Sequence, residues 1–324
     1  MLNIEDLKVY YRTRRDDVRA VDGVSFELRK GELLGLVGES GCGKSTLGYS
    51  LLRLIRPPGY YAGGTIHFNG RDLLQLNDEQ MRQVRGKEIA LIPQAAMNVL
   101  NPVIRIKKQM RDMMVSHEQS LPKDQMSKRV AKSLTAVKLD SSRLNSHPHE
   151  LSGGMRQRVI IALSLLLGPK ILVADEPTTA LDVVTQRGLL RMIRGIAKEL
   201  ELSILFITHD ISILAEISDR IGVMYAGKLV EISPTERIFS KPAHPYTKAL
   251  LSSVPSVVGE TGKLEGIPGY PPDLRAPPAG CRFHPRCPYA VGVCERTDPP
   301  FVEMKKDHTA ACHLAKTIDE DEGE

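Results

Sequence analysis

A glycine-rich segment in the N-terminal part of the chain places the strongest constraint on its fold. Residues 38–46 read GESGCGKST, follow the wholly apolar run 33–37 and precede a helical pattern that begins near Lys44. A buried strand, a glycine-rich loop and a helix in this order are typical of phosphate binding, because the loop points successive backbone N–H groups inward beside the positive end of the helix. A glycine-rich turn that only caps a helix is the alternative, and the complete order argues against it. The sequence therefore predicts an α/β protein that binds a nucleoside triphosphate.

The same loop predicts how the nucleotide is held. Lys44 is placed to bridge the β- and γ-phosphates, Ser45 to ligate Mg²⁺ and Thr46 to hold the α-phosphate. The loop residues predicted to contact the nucleotide or its magnesium ion are Gly38, Ser40, Gly41, Cys42, Gly43, Lys44, Ser45 and Thr46.

Further apolar runs predict the sheet around this loop. Residues 171–174 and 204–207 are short, wholly apolar and separated by a helical pattern at 184–200, which is the rhythm of a parallel sheet. Residues 63–68 are followed by Asn69-Gly70, a hairpin signal that predicts an additional antiparallel sheet.

Composition divides the rest of the chain. Helical spacing, interrupted at Pro102 and Pro122, predicts a mostly helical insert at about 95–165. Beyond about Pro234 prolines recur, and a helical pattern remains only near 246–253. We therefore expect a nucleotide-binding domain at 1–235 and a C-terminal module at 236–324.

A pair of carboxylates and a helix start complete the predicted chemistry. Asp175 and Glu176 end the apolar run 171–174, where open α/β sheets bind ligands, so Asp175 is placed to orient the Mg²⁺ shell and Glu176 to polarise an attacking water. Ser152, Gly153 and Gly154 precede an apolar helix and present a hydroxyl and backbone N–H groups at its positive end. A solvated strand end and an ordinary N-cap are the alternatives. We expect this second anion-binding end to serve the nucleotide of a neighbouring subunit.

The chain carries six motifs in a characteristic order. They are GESGCGKST, LIPQ with Gln94, LSGGMRQ, ILVADEP, Leu181-Asp182 and Thr208-His209-Asp210. With these motifs in this order, the chain resembles the nucleotide-binding subunits of ABC transporters. The resemblance implies ATP as the nucleotide and a P-loop NTPase (RecA-like) core with an antiparallel β-subdomain and a helical subdomain. It also implies a head-to-tail dimer that closes on ATP and reopens after hydrolysis, which drives a transporter.

The resemblance assigns further roles residue by residue. Gln94 would touch Mg²⁺ and the attacking water, Asp182 would act across the dimer, and His209 would contact the γ-phosphate. Tyr11 would stack on the adenine, with Tyr10 as the alternative. The residues predicted to take part in catalysis are Glu176, His209, Gln94 and Lys44.

Two C-terminal stretches narrow the family. FSKPAHPYTKALL at 239–251 and CRFHPRCPYAVGVC at 281–294 are similar to the small irregular C-terminal domain of oligopeptide and dipeptide importer ATPases. This implies import of peptides, with oligosaccharides or nickel as alternative solutes. It also implies two integral membrane permease subunits and an extracytoplasmic solute-binding protein as partners. Met155 in LSGGMRQR favours the first of two paralogous ATPases that pair as a heterodimer.

Four cysteines in the C-terminal module form a candidate metal site. Cys281, Cys287, Cys294 and Cys312 have the spacing C-x5-C-x6-C-x17-C. Four thiolates can hold zinc or a 4Fe-4S cluster, and zinc knuckles typically use closer pairs. The resemblance implies a 4Fe-4S cluster, while zinc and free thiols remain alternatives.

Charge and hydropathy restrict the location and the partners. The net charge is +5 and the basic residues are dispersed, which argues against direct binding of nucleic acid. The chain also lacks the coiled-coil insertion and the doubled motif set of ABC ATPases that act on nucleic acid. Its longest apolar runs are far shorter than the ~20 residues that span a bilayer, and its first residues predict no secretory signal. We expect a peripheral subunit at the cytoplasmic face of the cell membrane.

Overall fold

The computed structural model describes residues 1–94, 99–117, 122–179, 181–253 and 266–315. The parts of the predicted helical insert at 95–98 and 118–121, and of the predicted C-terminal module at 254–265 and 316–324, lie outside the described residues.

The described chain contains both strands and helices. The strands are β1 (Leu2–Tyr11), β2 (Val18–Leu28), β3 (Leu33–Val37), β4 (Gly59–Phe68), β5 (Arg71–Asp72), β6 (Ile89–Ile92), β7 (Ile171–Asp175), β8 (Ser203–Ile207), β9 (Arg220–Tyr225), β10 (Lys228–Pro234), β11 (Val302–Lys305) and β12 (His308–Ala310). The helices are α1 (Lys44–Ser50), α2 (Asp78–Val84), α3 (Ile106–His117), α4 (Lys123–Ala136), α5 (Gly153–Leu165), α6 (Val183–Glu199), α7 (Ile211–Ile217), α8 (Thr235–Ser240), α9 (Pro245–Ser252) and α10 (Gly292–Arg296).

The chain divides into two compact units, and the first comprises Met1–Leu28, Leu34–Leu74 and Ile207–Glu324. It contains an antiparallel sheet in the order β2-β1-β4-β5. Leu2 on β1 lies opposite Leu28 on one side and Phe68 on the other, so apolar side chains meet on the same face. Asn69 and Gly70 both have positive φ in the β4–β5 turn, which confirms the predicted hairpin.

The first unit also contains strands in the order β11-β12-β10-β9-β3. β3 runs parallel to β9, and β9 forms a hairpin with β10 through Ala226 and Gly227, both at positive φ. β12 adds to β10 and pairs with β11, so the C-terminal module contributes strands to this sheet. The sequence predicted one helical stretch in the module, which is α9, and the structure adds α8, α10 and this hairpin.

A buried polar network joins the C-terminal module to β10. The Glu231 carboxylate is fully buried, accepts hydrogen bonds from the backbone N–H groups of Ala243 and His244, and lies 2.7 Å from His308 Nε2. Arg237 Nε donates to His308 Nδ1 at 2.7 Å. Because both carboxylate oxygens of Glu231 and both ring nitrogens of His308 have partners, the module is fixed to the sheet by more than apolar packing.

The second unit comprises Arg29–Leu33 and Gln75–Phe206. Its strands have the order β8-β7-β6, with β6 parallel to β7 and Ile89 opposite Ile171. Every residue of β7 and β8 is buried, as expected of strands covered on both faces. Helices α3, α4 and α5 pack on one another and form the helical subdomain. Among the described residues, no helix has the length and apolar character needed to cross a membrane.

Candidate nucleotide-binding site

The loop at 38–46 connects β3 to α1, as the sequence predicted, and its glycines are required by close packing. A Cβ on Gly43 would lie 1.9 Å from the backbone oxygen of Ala20, and Gly43 has a φ of +104°. A Cβ on Gly38 would lie 2.1 Å from the backbone oxygen of Met224. Gly41 has a φ of +79° in open space. The loop can therefore follow this path only with glycine at 38 and 43, and glycine at 41 avoids backbone strain.

Lys44 is the buried cation of the loop. It is 6% exposed, and its Nζ donates to the carbonyl oxygens of Gly38 at 2.6 Å and Glu39 at 3.0 Å. These carbonyl oxygens hold the ammonium group over the loop, where it is available to exchange them for phosphate oxygens. Ser45 and Thr46 follow on the first turn of α1 with half-buried side chains.

The two candidate adenine-stacking tyrosines have different surroundings. The Tyr11 hydroxyl lies 3.4 Å from Thr46 Oγ1, so the end of β1 reaches the phosphate loop. The Tyr10 hydroxyl donates to Asp22 Oδ1 at 2.6 Å, and its ring packs edge-on against Tyr60. Burial, followed by the Asp22 hydrogen bond, raises the pKa of Tyr10 to about 12. Of the two side chains, Tyr11 is the one in contact with the loop.

His209 lies between β8 and α7 with an exposed side chain. The backbone N–H of its neighbour Thr208 donates to Leu36 in β3 at 3.0 Å, so this segment runs beside the strand that leads into the phosphate loop. Asp210 caps α7 by accepting from Ser212 N at 2.9 Å. The first unit therefore contains the phosphate loop, Tyr11 and His209.

The second unit contains the paired carboxylates. Asp175 is the last residue of β7 and is 1% exposed, and Glu176 follows with a φ of +47°. Glu176 Oε2 accepts a hydrogen bond from Gln94 Nε2 at 3.2 Å and one from Thr179 Oγ1 at 3.0 Å. A left-handed backbone at a residue other than glycine costs about 1–3 kcal/mol and is found where a side chain must be aimed. The structure thus brings Gln94 and Glu176 together.

Two helices of the second unit, α5 and α6, begin close to each other. Ser152 caps α5 by accepting from Met155 N at 3.3 Å, and Asp182 caps α6 by accepting from Thr185 N at 2.9 Å. A Cβ on Gly154 would lie 2.9 Å from Thr185 Cγ2, so glycine is needed where the helices approach. The hydrogen bond from the Thr185 backbone lowers the pKa of the Asp182 carboxyl, which keeps this cap charged.

The four C-terminal cysteines line one cavity in the first unit. Cys281, Cys287, Cys294 and Cys312 surround about 10 Å³ of internal space, and His244 also lines it. Backbone N–H groups two residues further along the chain donate to three of the sulfurs, including Leu314 N to Cys312 Sγ at 3.4 Å. Among the described residues, no three His, Cys, Asp or Glu side chains form a ready metal-ligand set.

The electrostatics of this cavity disfavour uncompensated thiolates. Burial is the main cause that raises the pKa of Cys281 and of Cys312 to about 11, and repulsion from neighbouring cysteines contributes. His244 is 1% exposed, and its Nδ1 accepts from Tyr246 N at 3.0 Å. Its Nε2 has no hydrogen-bond partner among the described residues. A cation held by the sulfurs would remove the repulsion, because it stabilises thiolates.

Several residues around the candidate site were missed at the sequence level. Thr179 contacts Glu176, while Tyr246 and Arg286 contact Glu39 inside the phosphate loop. Thr179 follows Glu176 closely enough that its side chain was a local candidate. Nothing local signals the other contacts, since Tyr246 and Arg286 lie 207 and 247 residues from Glu39 in sequence.

Comparisons with known proteins identify the family of the chain. The family described as ABC transporter matches residues 21–179, and the oligopeptide/dipeptide transporter C-terminal region matches residues 230–294. The dipeptide transport ATP-binding protein DppD of Caldanaerobacter subterraneus subsp. tengcongensis is 40% identical over 97% of each chain. The oligopeptide transport ATP-binding protein OppD of Bacillus subtilis is 44% identical over 95% of this chain and 87% of that protein.

Solved structures give the same fold. The dimeric ATP-binding cassette MJ0796 in a post-hydrolysis state bound to ADP and Pi has a TM-score of 0.64 at 24% identity, covering 72% of this chain and 99% of that one. The cbiO1 protein from Clostridium perfringens, part of the ABC transporter complex cbiONQ, has a TM-score of 0.63 at 25% identity, covering 74% and 90%. Relatives at 40% identity or more align over nearly the whole chain, which also has the phosphate loop with its buried lysine. The chain therefore belongs to the ABC transporter ATPases, in the group with an oligopeptide/dipeptide transporter C-terminal region.

Proposed function

We propose that this chain is the ATP-hydrolysing subunit of a binding-protein-dependent ABC importer for peptides. The observation that carries the proposal is the placement of Glu176 at the end of a buried strand, with its carboxylate held by Gln94 and Thr179. A carboxylate fixed at this position can orient a water molecule and accept its proton. The relatives named for dipeptide and oligopeptide transport support peptides as the solute.

The other residues have supporting roles in hydrolysis. Lys44 would exchange the carbonyl oxygens of Gly38 and Glu39 for the β- and γ-phosphate oxygens. His209 would contact the γ-phosphate and Tyr11 the adenine. Ser45, Asp175 and Gln94 offer the oxygen ligands that Mg²⁺ prefers, and the ion, when bound, would neutralise charge on the phosphates.

We further propose a head-to-tail dimer with a paralogous ATPase subunit. The adjoining helix starts support this arrangement, since Ser152, Gly153 and Gly154 offer a hydroxyl and backbone N–H groups beside Asp182. The pair would work with two integral membrane permease subunits at the cytoplasmic face of the membrane and with an extracytoplasmic solute-binding protein. Measuring the mass of the purified transporter by native mass spectrometry tests the composition, and a transporter with two identical ATPase subunits would contradict the heterodimer.

For the cysteine cavity we propose a 4Fe-4S cluster held by Cys281, Cys287, Cys294 and Cys312, with zinc as the alternative. The donor set fits such a group, because the backbone N–H groups at the sulfurs and the buried Nε2 of His244 match the hydrogen bonds that thiolate ligands accept. The cluster would add a covalent link between distant parts of the module. Anaerobic purification with an absorbance spectrum and metal analysis tests this, and a colourless protein with stoichiometric zinc would contradict the cluster.

The role of Glu176 is tested by Glu176→Gln in the purified transporter. The amide keeps the shape of the side chain but does not accept a proton, so we expect ATP binding to remain and turnover to fall by about 10²–10⁴-fold, the usual contribution of a general base. Glu199→Gln is a control on an exposed carboxylate of the same unit. Undiminished hydrolysis in Glu176→Gln would contradict its proposed role.

The solute is tested separately by uptake. A strain that lacks this gene should lose uptake of labelled di- and oligopeptides and regain it with the wild-type chain but not with Glu176→Gln. Normal peptide uptake together with a loss of oligosaccharide or nickel uptake would overturn the peptide assignment and leave the ATPase role intact.

A further inference from the structure

The segment 281–287, CRFHPRC, carries two arginines between its two cysteines, and the side chain of each is 5% exposed. Arg282 hydrogen-bonds to Asp22 on β2 and to the carbonyl oxygen of Ala226 in the β9–β10 turn. Arg286 contacts the phosphate loop itself. All of these residues belong to the first compact unit.

The contact with the phosphate loop centres on Glu39, the second residue of the loop. Arg286 Nη1 and Nη2 donate to the two carboxylate oxygens of Glu39 at 2.7 and 3.0 Å, a two-point pairing that fixes direction as well as distance. The backbone N–H of Glu39 donates to the Tyr246 hydroxyl at 2.9 Å. The C-terminal module therefore holds both the side chain and the backbone of one loop residue.

Glu39 also contacts the lysine that would bind phosphate. Its carbonyl oxygen accepts from Lys44 Nζ at 3.0 Å, so the residue held by the module is a residue that positions the ammonium group. The two groups that hold Glu39 are themselves rigid. Tyr246 is fully buried, and the Arg286 side chain is 5% exposed and donates further hydrogen bonds to the carbonyl oxygens of Pro268 and Ile267.

Simple attachment of the module does not require contact with the loop. Arg282, the Glu231 network and the β10–β12 pairing already join the module to the rest of the unit. The surface pair Arg275–Asp273 has a similar two-point geometry but is half exposed, and it joins two residues of the module to each other. Arg286 differs because the carboxylate it fixes belongs to the nucleotide-binding loop.

We infer that Arg286 is a positioning residue of the ATP site: together with Tyr246 it holds the phosphate loop, through Glu39, in the conformation that receives the nucleotide. The inference rests on the proposed function, because it requires ATP as the ligand of the loop. Its consequence is that the C-terminal module, which has no predicted contact with ATP, contributes to the affinity of the phosphate loop for ATP. Loss of Arg286 leaves a partly buried carboxylate without its partner and lets the loop sample other conformations, which binding must then reorder.

The test is the affinity of the purified full-length chain for Mg-ATP, measured by titration calorimetry, with the steady-state KM and kcat measured in the assembled transporter. We expect Arg286→Ala to weaken ATP binding and to raise KM by about tenfold, the scale of a lost preorganising contact. The kcat should stay close to the wild-type value, since Glu176 and Gln94 are unchanged. Arg286→Lys should recover part of the affinity, because lysine restores the charge but not the two-point pairing.

Matched variants separate positioning from stability. Arg275→Ala removes the exposed pair of the same module and should leave the affinity unchanged. Glu39→Gln and Tyr246→Phe alter the same contacts with little change of shape, so they carry the test if Arg286→Ala does not fold. In a double-mutant cycle, Glu39→Gln should add little to the affinity lost in Arg286→Ala, because the two residues act as a pair.

The possible results are distinguishable. Weaker ATP binding in Arg286→Ala with partial recovery in Arg286→Lys supports the inference. A lower melting temperature with wild-type affinity would show that Arg286 only attaches the module and would overturn the inference while leaving the proposed function intact. A wild-type chain that does not bind ATP would overturn the proposed function, and the inference with it.

Discussion

The packing around Gly43 makes Gly43→Ala a quantitative test of the phosphate loop. Gly43 has a φ of +104°, a region that costs a residue with a side chain about 1–2 kcal/mol. The new Cβ would also lie 1.9 Å from the Ala20 carbonyl oxygen, whereas real Cβ atoms essentially never come within 3.0 Å of another heavy atom. Ala20 belongs to β2, which pairs with β1, and its neighbours Arg19 and Asp22 donate backbone hydrogen bonds to Leu274 and Gly227, so the strand resists displacement. The loop must therefore move by about 1 Å.

A misplacement of 1 Å can cost about 100-fold in reaction rate, and a loop displaced by this distance from the phosphates should lose affinity on the same scale. We expect the Kd for Mg-ATP of Gly43→Ala to rise by about that factor, measured by titration calorimetry on the full chain, with circular dichroism to establish that the variant folds. Gly31→Ala is the matched control, because Gly31 has a φ of +69° but its Cβ would meet nothing within 4 Å. It should lose stability without losing ATP affinity. Wild-type affinity in a folded Gly43→Ala would refute this account of the loop.

Further predictions concern Glu176 and the cysteine cavity. Thr179→Ala removes one hydrogen bond from the Glu176 carboxylate, so kcat should fall by about tenfold while ATP affinity stays constant; an unchanged kcat would contradict the positioning of Glu176. His244→Leu removes the buried Nε2 donor beside the cysteines, so the metal that they hold should be lost faster to a chelator. An unchanged rate of metal loss would argue against contact between the metal group and His244. Removing the metal group from the cysteines should also weaken ATP binding, because Arg286, which holds Glu39, is next to Cys287 in sequence. Equal ATP affinity before and after removal would show that the cysteine cavity and the phosphate loop are independent. In metal-free protein, the pKa of Cys281 and of Cys312 is raised to about 11, so both thiols are protonated at pH 8. Alkylation of these thiols, followed by mass spectrometry, should therefore be slow at pH 8 and faster towards pH 11. Rapid alkylation at pH 8 would contradict the raised pKa.

The elements that sequence patterns predicted are those governed by local rules. The apolar runs became β3, β7 and β8, since a short apolar run bounded by turn signals is typical of a strand that is covered on both faces in a parallel sheet. The strand β1 was missed, because its apolar alternation is interrupted at Glu5 and Asp6, where the structure has a bulge and Asp6 has a φ of +46°. A bulge shifts the alternating pattern by one residue, which hides the period of two.

The pairing of β12 with β10 was missed for a different reason. Val302–Lys305 and His308–Ala310 are too short and polar to signal strands by themselves, and they become strands because the edge of β10 offers free backbone partners. The prolines of the module correctly predicted irregular structure for many of its described residues, but they do not report what lies beside the segment in space.

The sequence by itself determined the phosphate loop, because strand, glycines, lysine and helix are contiguous and each step follows from backbone geometry. It also determined the carboxylates after β7, for the same reason. Only the tertiary structure decided which residues hold that loop in place. Tyr246 and Arg286 reach Glu39 across more than two hundred residues, and such contacts depend on how the sheet brings distant segments together rather than on any local pattern.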